Sequence, residues 1–176
     1  RRRFYIVYPH SIRYTYTSGS DLYVARLATV QSTATLGTFK GTYILCDMLA
    51  HASINNAQAS GSFAPEIVGS GRLGTGSFAQ VIVTVGSNLS AAANTFKLEY
   101  TNQDNVTQRT TPTISTIASL AQDRVCYGSY VFVPLGSGDV GVRSVMGRQL
   151  VSGTATGSLH IAVVNPLAIL NHTGPG

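Results

Sequence analysis

The chain has 176 residues and 18.6 kDa, room for one domain or two small ones. A domain of this size buries ~70% of the surface its unfolded chain exposes, so it can fold without metal or disulfide staples. Charged residues make up only 11%, against ~25% in ordinary soluble domains, while 44% are apolar and Ser plus Thr number 37. The apolar content excludes disorder, and the lack of fixed repeats excludes collagen and coiled coil. What remains is a surface of hydroxyls and amides, suited to proteins that pack against copies of themselves or a partner.

Of the net charge of +5, Arg1, Arg2 and Arg3 supply three. The rest is scattered, which is not the Lys/Arg stripe that would neutralise several phosphates, so direct nucleic-acid binding is not expected. No stretch approaches ~18 consecutive apolar residues, and no membrane span is expected. Because the chain does not begin with Met, its true start is expected upstream or processed.

In chain order, the arginine run leads into Phe4, Tyr5, Ile6, Val7, Tyr8 and Pro9, then a second candidate strand at 13–17 with Tyr14 and Tyr16 on one face. Residues 1–20 read as an N-terminal arm or pair of edge strands. Strands are predicted at 22–29 and 42–45, and a short helix over 45–52 from apolar spacing near 3.6. Val81, Val83 and Val85 alternate with Thr84. Thr95-Phe96-Lys97-Leu98-Glu99-Tyr100-Thr101 alternates perfectly, the pattern of a half-buried antiparallel strand. Further strands are predicted at 106–111, 130–135 and 140–150, and around Leu159, Ile161 and Val163, with a second short helix at 117–123. Turn clusters of Gly, Ser, Asn and Asp separate them, at 17–20, 69–76, 102–105, 136–139 and 153–157. The fold class is therefore all-β. An antiparallel β-sandwich, jelly-roll-like, is expected over 21–171 as a single domain, with 172–176 a loose tail.

Residues with chemical potential fall into no catalytic or ligating pattern. Cys46 and Cys126 stand eighty apart with no CxxC or CxxH companion, and free buried thiols are the default for them, a disulfide remaining open. His10, His51, His160 and His172 lack paired ligand spacing. Asp47 and His51 would meet on one helical turn, yet no GxSxG elbow offers a nucleophile. The glycine-rich 69–76 lacks the GK[ST] ending of a phosphate loop. No enzyme, cofactor or metal is expected.

Three segments carry a resemblance: Leu45-Cys46-Asp47-Met48-Leu49-Ala50-His51, Tyr100-Thr101-Asn102-Gln103-Asp104-Asn105-Val106-Thr107-Gln108-Arg109-Thr110, and Val133-Pro134-Leu135-Gly136-Ser137-Gly138-Asp139-Val140-Gly141-Val142-Arg143-Ser144-Val145. With Asn165-Pro166-Leu167-Ala168, they make the C-terminal two thirds similar to a family of tailed-bacteriophage virion structural proteins. Members carry glycine at the position of Asn105, and glycine or a similar small residue at that of Gln108, so the turn is expected to differ in shape. Arg143 is expected to face Asp139 or a neighbouring subunit. The resemblance implies a non-enzymatic virion component. Together with the low-charge surface, it suggests decoration or cementing of a capsid as a homo-oligomer, a trimer being one candidate, with the major capsid or other virion proteins as partners. The expected subunit contacts are Arg1, Arg2, Arg3, Phe4, Tyr5 and Tyr8, as an arm that adds to a neighbour's sheet. The alternative is a tail or collar module that recognises a host glycan. That module would need exposed aromatic or acidic residues on loop tips, where the sequence suggests Gly, Ser, Thr and Asn.

Overall fold

The computed structural model describes residues 3–6, 14–15, 41–55, 61–68, 78–116, 118–119, 132–154 and 156–172. Among these residues there is no helix. Ten strands occur: β1 (Arg3–Ile6), β2 (Tyr14–Thr15), β3 (Gly41–Asn55), β4 (Gly61–Val68), β5 (Gln80–Ser87), β6 (Thr95–Asn102), β7 (Arg109–Thr110), β8 (Ile114–Ser115), β9 (Val142–Ser152) and β10 (Ser158–His172). Their ladders are antiparallel. The all-β reading from alternation is thus met. The chain divides into two compact units, Met48–Asn165 and a smaller one formed by Arg1–Asp47 with Pro166–Gly176.

In the larger unit, one sheet runs β3-β10-β5 and the other β4-β9-β6-β7, with β8 also paired to β6. The pairing is nested. The first strand lies beside the last, β4 beside β9, and β6 beside β7, while the segment 132–135 joins β5 where the Val133 amide donates to the Val81 carbonyl at 2.8 Å. Alternation then decides what is buried. Val81, Val83 and Val85 of β5, Phe96, Leu98 and Tyr100 of β6, Val142 and Val145 of β9, and Leu159, Ile161 and Val163 of β10 share one core. Each large side chain buried there contributes about 1.5–3 kcal/mol relative to exposure.

In the smaller unit, β1 is flanked on both sides. Phe4 stands opposite Tyr14 of β2 and opposite Asp47 of β3, followed by Tyr5 opposite Cys46 and Ile6 opposite Leu45. Ile44 and Cys46 are buried, two apart as strand periodicity requires. The Cys46 thiol is free, and burial pushes its pKa up to about 12, the state of an inert structural thiol.

The helix predicted over 45–52 is corrected: these residues lie within β3. Eight residues of helical spacing cannot nucleate a helix alone, and ladder partners supply more hydrogen bonds than one isolated turn. Asp47 and His51 are therefore two pleats apart, roughly 13 Å, and do not meet. The helix predicted at 117–123 is described only at Ala118 and Ser119, which form a turn with Ser119 left-handed at φ 54°. Of the strand predicted at 106–111 only Arg109–Thr110 forms, because Asn105 (φ 65°) and Gln108 (φ 58°) break the extended run. Residues 132–135 form no strand, Pro134 lacking a ladder donor. β4 carries no predicted counterpart, its alternation being masked by Pro65. The strand predicted at 22–29 and the 69–76 loop lie outside the described residues.

Candidate functional site

The two longest motifs meet at one end of the larger unit. β6 delivers Tyr100 and Asn102 to its end, β7 delivers Arg109, and the turn 136–139 delivers Asp139. That turn closes with the Asp139 amide donating to the Gly136 carbonyl at 3.0 Å, and Gly138 supplies the φ of 84° it demands. The Asp139 carboxylate then collects three donors. Tyr100 donates its hydroxyl to Oδ2, Arg109 Nε donates to Oδ2 at 2.9 Å, and Asn102 Nδ2 donates to Oδ1 at 2.8 Å. The Tyr100 oxygen in turn accepts the Gly136 amide at 2.8 Å, and Arg109 reaches the Ser137 carbonyl at 3.1 Å.

Asn102 and Gln103 stitch the rest. Asn102 Oδ1 accepts the amides of Asp104 (3.1 Å) and Val106 (2.8 Å), an Asx turn that fixes the loop after β6. Gln103 Oε1 accepts the amides of Val140 (3.1 Å) and Gly141 (3.2 Å), while the Gln103 backbone N–H donates to the Gly141 carbonyl at 3.0 Å. Loops at 102–109 and 136–141 are thereby locked to each other.

The Asp139 side chain is only 4% exposed and that of Arg109 37%. Burial works to raise the Asp139 pKa, but the hydrogen bonds from Asn102, Tyr100 and Arg109, with the guanidinium charge, outweigh it and hold the carboxyl below the usual range. Tyr100 is pushed up to about 12, by burial first and then by the carboxylate it donates to. Asp139 therefore pairs with Arg109, and of the two partners expected for Arg143, Asp139 or a neighbouring subunit, the first is already taken. Thirty residues of separation hide this partner from local pattern, whereas Arg143 lies on the outgoing strand.

A second polar cluster lies on β3, β5 and β10. Ser53 Oγ stands 2.7 Å from His160 Nδ1, and the imidazole lies over Gly86, where a Cβ would come within 2.6 Å of Nε2. Ser158 beside it donates to Ser87 Oγ at 3.0 Å. This is a cross-strand hydroxyl ladder of the kind that aligns neighbouring strands. Among the described residues, no group of three or more His, Cys, Asp or Glu is placed to hold a metal ion.

Of the expected subunit contacts, Arg3, Phe4 and Tyr5 lie in β1, whose backbone is paired along both edges within the chain. Arg1, Arg2 and Tyr8 lie outside the described residues, as do His10 and Cys126. One feature was missed by sequence reasoning. Phe78 is 68% exposed, with Val140 at 52% and Val106 at 50%, all at the locked end, where Asp104 is exposed as well. The loop tips are therefore not only Gly, Ser, Thr and Asn. Extending the β5 alternation two residues back would have found Phe78, since it shares the outward parity of Gln80.

No family model, curated protein or solved structure matches the chain.

Proposed function

We propose that this protein is a non-enzymatic structural component of a tailed-phage virion, a β-sandwich of jelly-roll type that decorates or cements the capsid in multiple copies. The observation that carries the reading is the nested pairing of the larger unit, β3 with β10, β4 with β9 and β6 with β7, with the Val133 amide bonded to β5 between them. A long antiparallel hairpin rolled on itself gives this order, and two-sheet jelly rolls recur in viral capsid and lectin domains. The two motifs of the virion-family resemblance are also the two loops of the lock. Asn105, where that family carries glycine, and Gln108, where it carries glycine or a similar small residue, are both left-handed, the conformation glycine adopts most readily. A shell role also agrees with the 11% charge content.

Mass spectrometry and cryo-EM of purified particles of the phage that encodes the chain test this. Many copies per particle, in density on the head, are expected; absence of the chain from particles overturns the reading. The lectin membership of the jelly-roll class, with Phe78 so exposed, favours one second reading, a glycan-recognising tail or collar module. Density at the tail, with binding on a glycan array abolished by Phe78→Ser, would establish it instead.

A further inference from the structure

We propose that the locked end of the larger unit is a contact surface for a second copy of this chain, with Phe78, Val106 and Val140 as its apolar centre. This rests on the multi-copy shell reading above and names the surface through which copies meet. Single exposed apolar residues are ordinary, but these three share one end. Gln80 Nε2 donates to the carbonyls of both Phe78 (3.1 Å) and Val140 (2.9 Å), which sets those two residues side by side. Gln103 takes the Val140 amide, and its neighbour Asn102 takes both backbone groups of Val106, the amide at 2.8 Å and the carbonyl at 3.0 Å. Val106 is thus presented on a backbone already fixed, so little ordering entropy remains to be lost on contact.

Two properties select a second copy as the occupant. The charges at this end that reach solvent are Asp104 and the partly exposed Arg109 and Arg143, so both signs are present, among amides and hydroxyls. A symmetry-related copy meets no like-charged face and brings a carboxylate where a guanidinium is exposed. Area is the second. The three side chains expose on the order of 300 Å² together, given ~150–250 Å² for a whole aromatic side chain, against about 800 Å² per partner in a stable complex. Such a contact holds where copies are already concentrated, as in a shell, and gives only weak pairing in free solution. The valine beside Phe78 also suits a protein surface better than a sugar ring, which needs hydrogen-bonding groups at the edge of the aromatic platform.

Sedimentation velocity of the full chain, at concentrations rising to about 1 mM, reads this directly. The wild type should show a sedimentation coefficient that climbs with concentration. Phe78→Ser combined with Val140→Thr should weaken self-association at least ~tenfold while leaving circular dichroism and thermal midpoint unchanged. Val106→Thr, which keeps shape and branching, should act in the same direction and serves if the double variant misfolds. Val151→Thr, at the far end of β9 and 51% exposed, should associate as the wild type does. A wild type that stays monomeric throughout, or patch variants that associate as tightly as wild type, overturns the proposal. So does glycan binding through Phe78 without self-association. Presence of the chain in particles with unaffected patch variants would sink this surface and leave the virion reading standing.

Discussion

The two ends of the larger unit solve the same problem with different chemistry. At the end reached by Asn102 and Val142, loops are tied through a buried carboxylate, a phenol and a guanidinium. At the opposite end, reached by Thr95 and Ser152, the ties are neutral. The Asn94 amide donates to Thr116 Oγ1 and the Thr116 amide to the Asn94 carbonyl, both at 2.8 Å, Thr95 and Ser152 share a 2.7 Å hydroxyl contact, and the Thr156 amide donates to Ser90 Oγ at 3.0 Å. Charge-assisted bonds are stronger and more directional, at the cost of desolvating an ion and depending on its protonation. Neutral ties are weaker singly and indifferent to pH. The charged end is therefore the stiffer and the more conditional of the two.

The largest expected effect breaks the charged end. Asp139→Ala removes one acceptor group and strands three donors, on Tyr100, Asn102 and Arg109, so it should cost about 3–5 kcal/mol. Asp139→Asn, which keeps the shape but substitutes a donor for one oxygen, should cost less. Urea unfolding at neutral pH measures both. A loss under about 1 kcal/mol for Asp139→Ala would mean that water replaces the carboxylate and that the lock holds little.

The matching break at the neutral end is Gly153→Ala. Gly153 sits at φ 107°, and a Cβ would press on Asn94 Oδ1 and the Ala93 carbonyl, with Asn94 Cα 2.8 Å away. Backbone strain and overpacking together should cost about 2–3 kcal/mol. Measured across pH, this loss should be a constant offset.

That constancy separates the ends. The Asp139 carboxyl titrates below its ordinary range in the folded chain, against about 3.9 unfolded, so its contribution is complete above about pH 4 and disappears as pH falls through the depressed value. Tyr100 is the reverse case, at about 12 folded against about 10 unfolded, so its contribution is complete below about pH 10 and is lost as pH rises towards 12. Urea midpoints followed over pH should fall at both extremes in the wild type. Asp139→Asn should flatten the acid limb, Tyr100→Phe the alkaline limb, and Gly153→Ala neither. Cys46, also raised to about 12, adds alkaline sensitivity in the smaller unit, and Cys46→Ala removes that part alone.

Legibility in the sequence divided along similar lines. β6 could be read residue by residue, because a strand buried on one face writes its periodicity into the chain. The stretch 45–52 could not, since eight residues of ambiguous spacing acquire strand geometry only from partners distant in sequence. β4 was hidden by Pro65. The lock was half legible: its residues stood out as turn formers, but Arg109 as partner of Asp139 is a tertiary fact. The exposed Phe78 was concealed because an aromatic beside a core strand reads as more core.

The smallest expected effect sharpens the account of the lock loop. Asn105 and Gln108 hold left-handed backbones that cost an ordinary L residue about 1–2 kcal/mol, and Asn less than Gln because its short side chain tolerates that region. Gln108→Gly relieves the strain but adds backbone freedom to the unfolded chain, so the net gain should be about 0.5–1 kcal/mol. Asn105→Gly should gain less, or nothing. Val106→Gly, between them in the chain and outside the left-handed region, should lose stability, since glycine there contributes only unfolded-state entropy. The ranking Gln108→Gly above Asn105→Gly above Val106→Gly in urea midpoint is the test, because strain orders the three variants in this way and loss of side-chain contacts does not. If Gln108→Gly were destabilising, the Gln108 side chain would be worth more than its backbone strain, and the rigidity of this end would have to be assigned to contacts at its tip instead of to the bonds of Asn102, Gln103 and Asp139 beneath it.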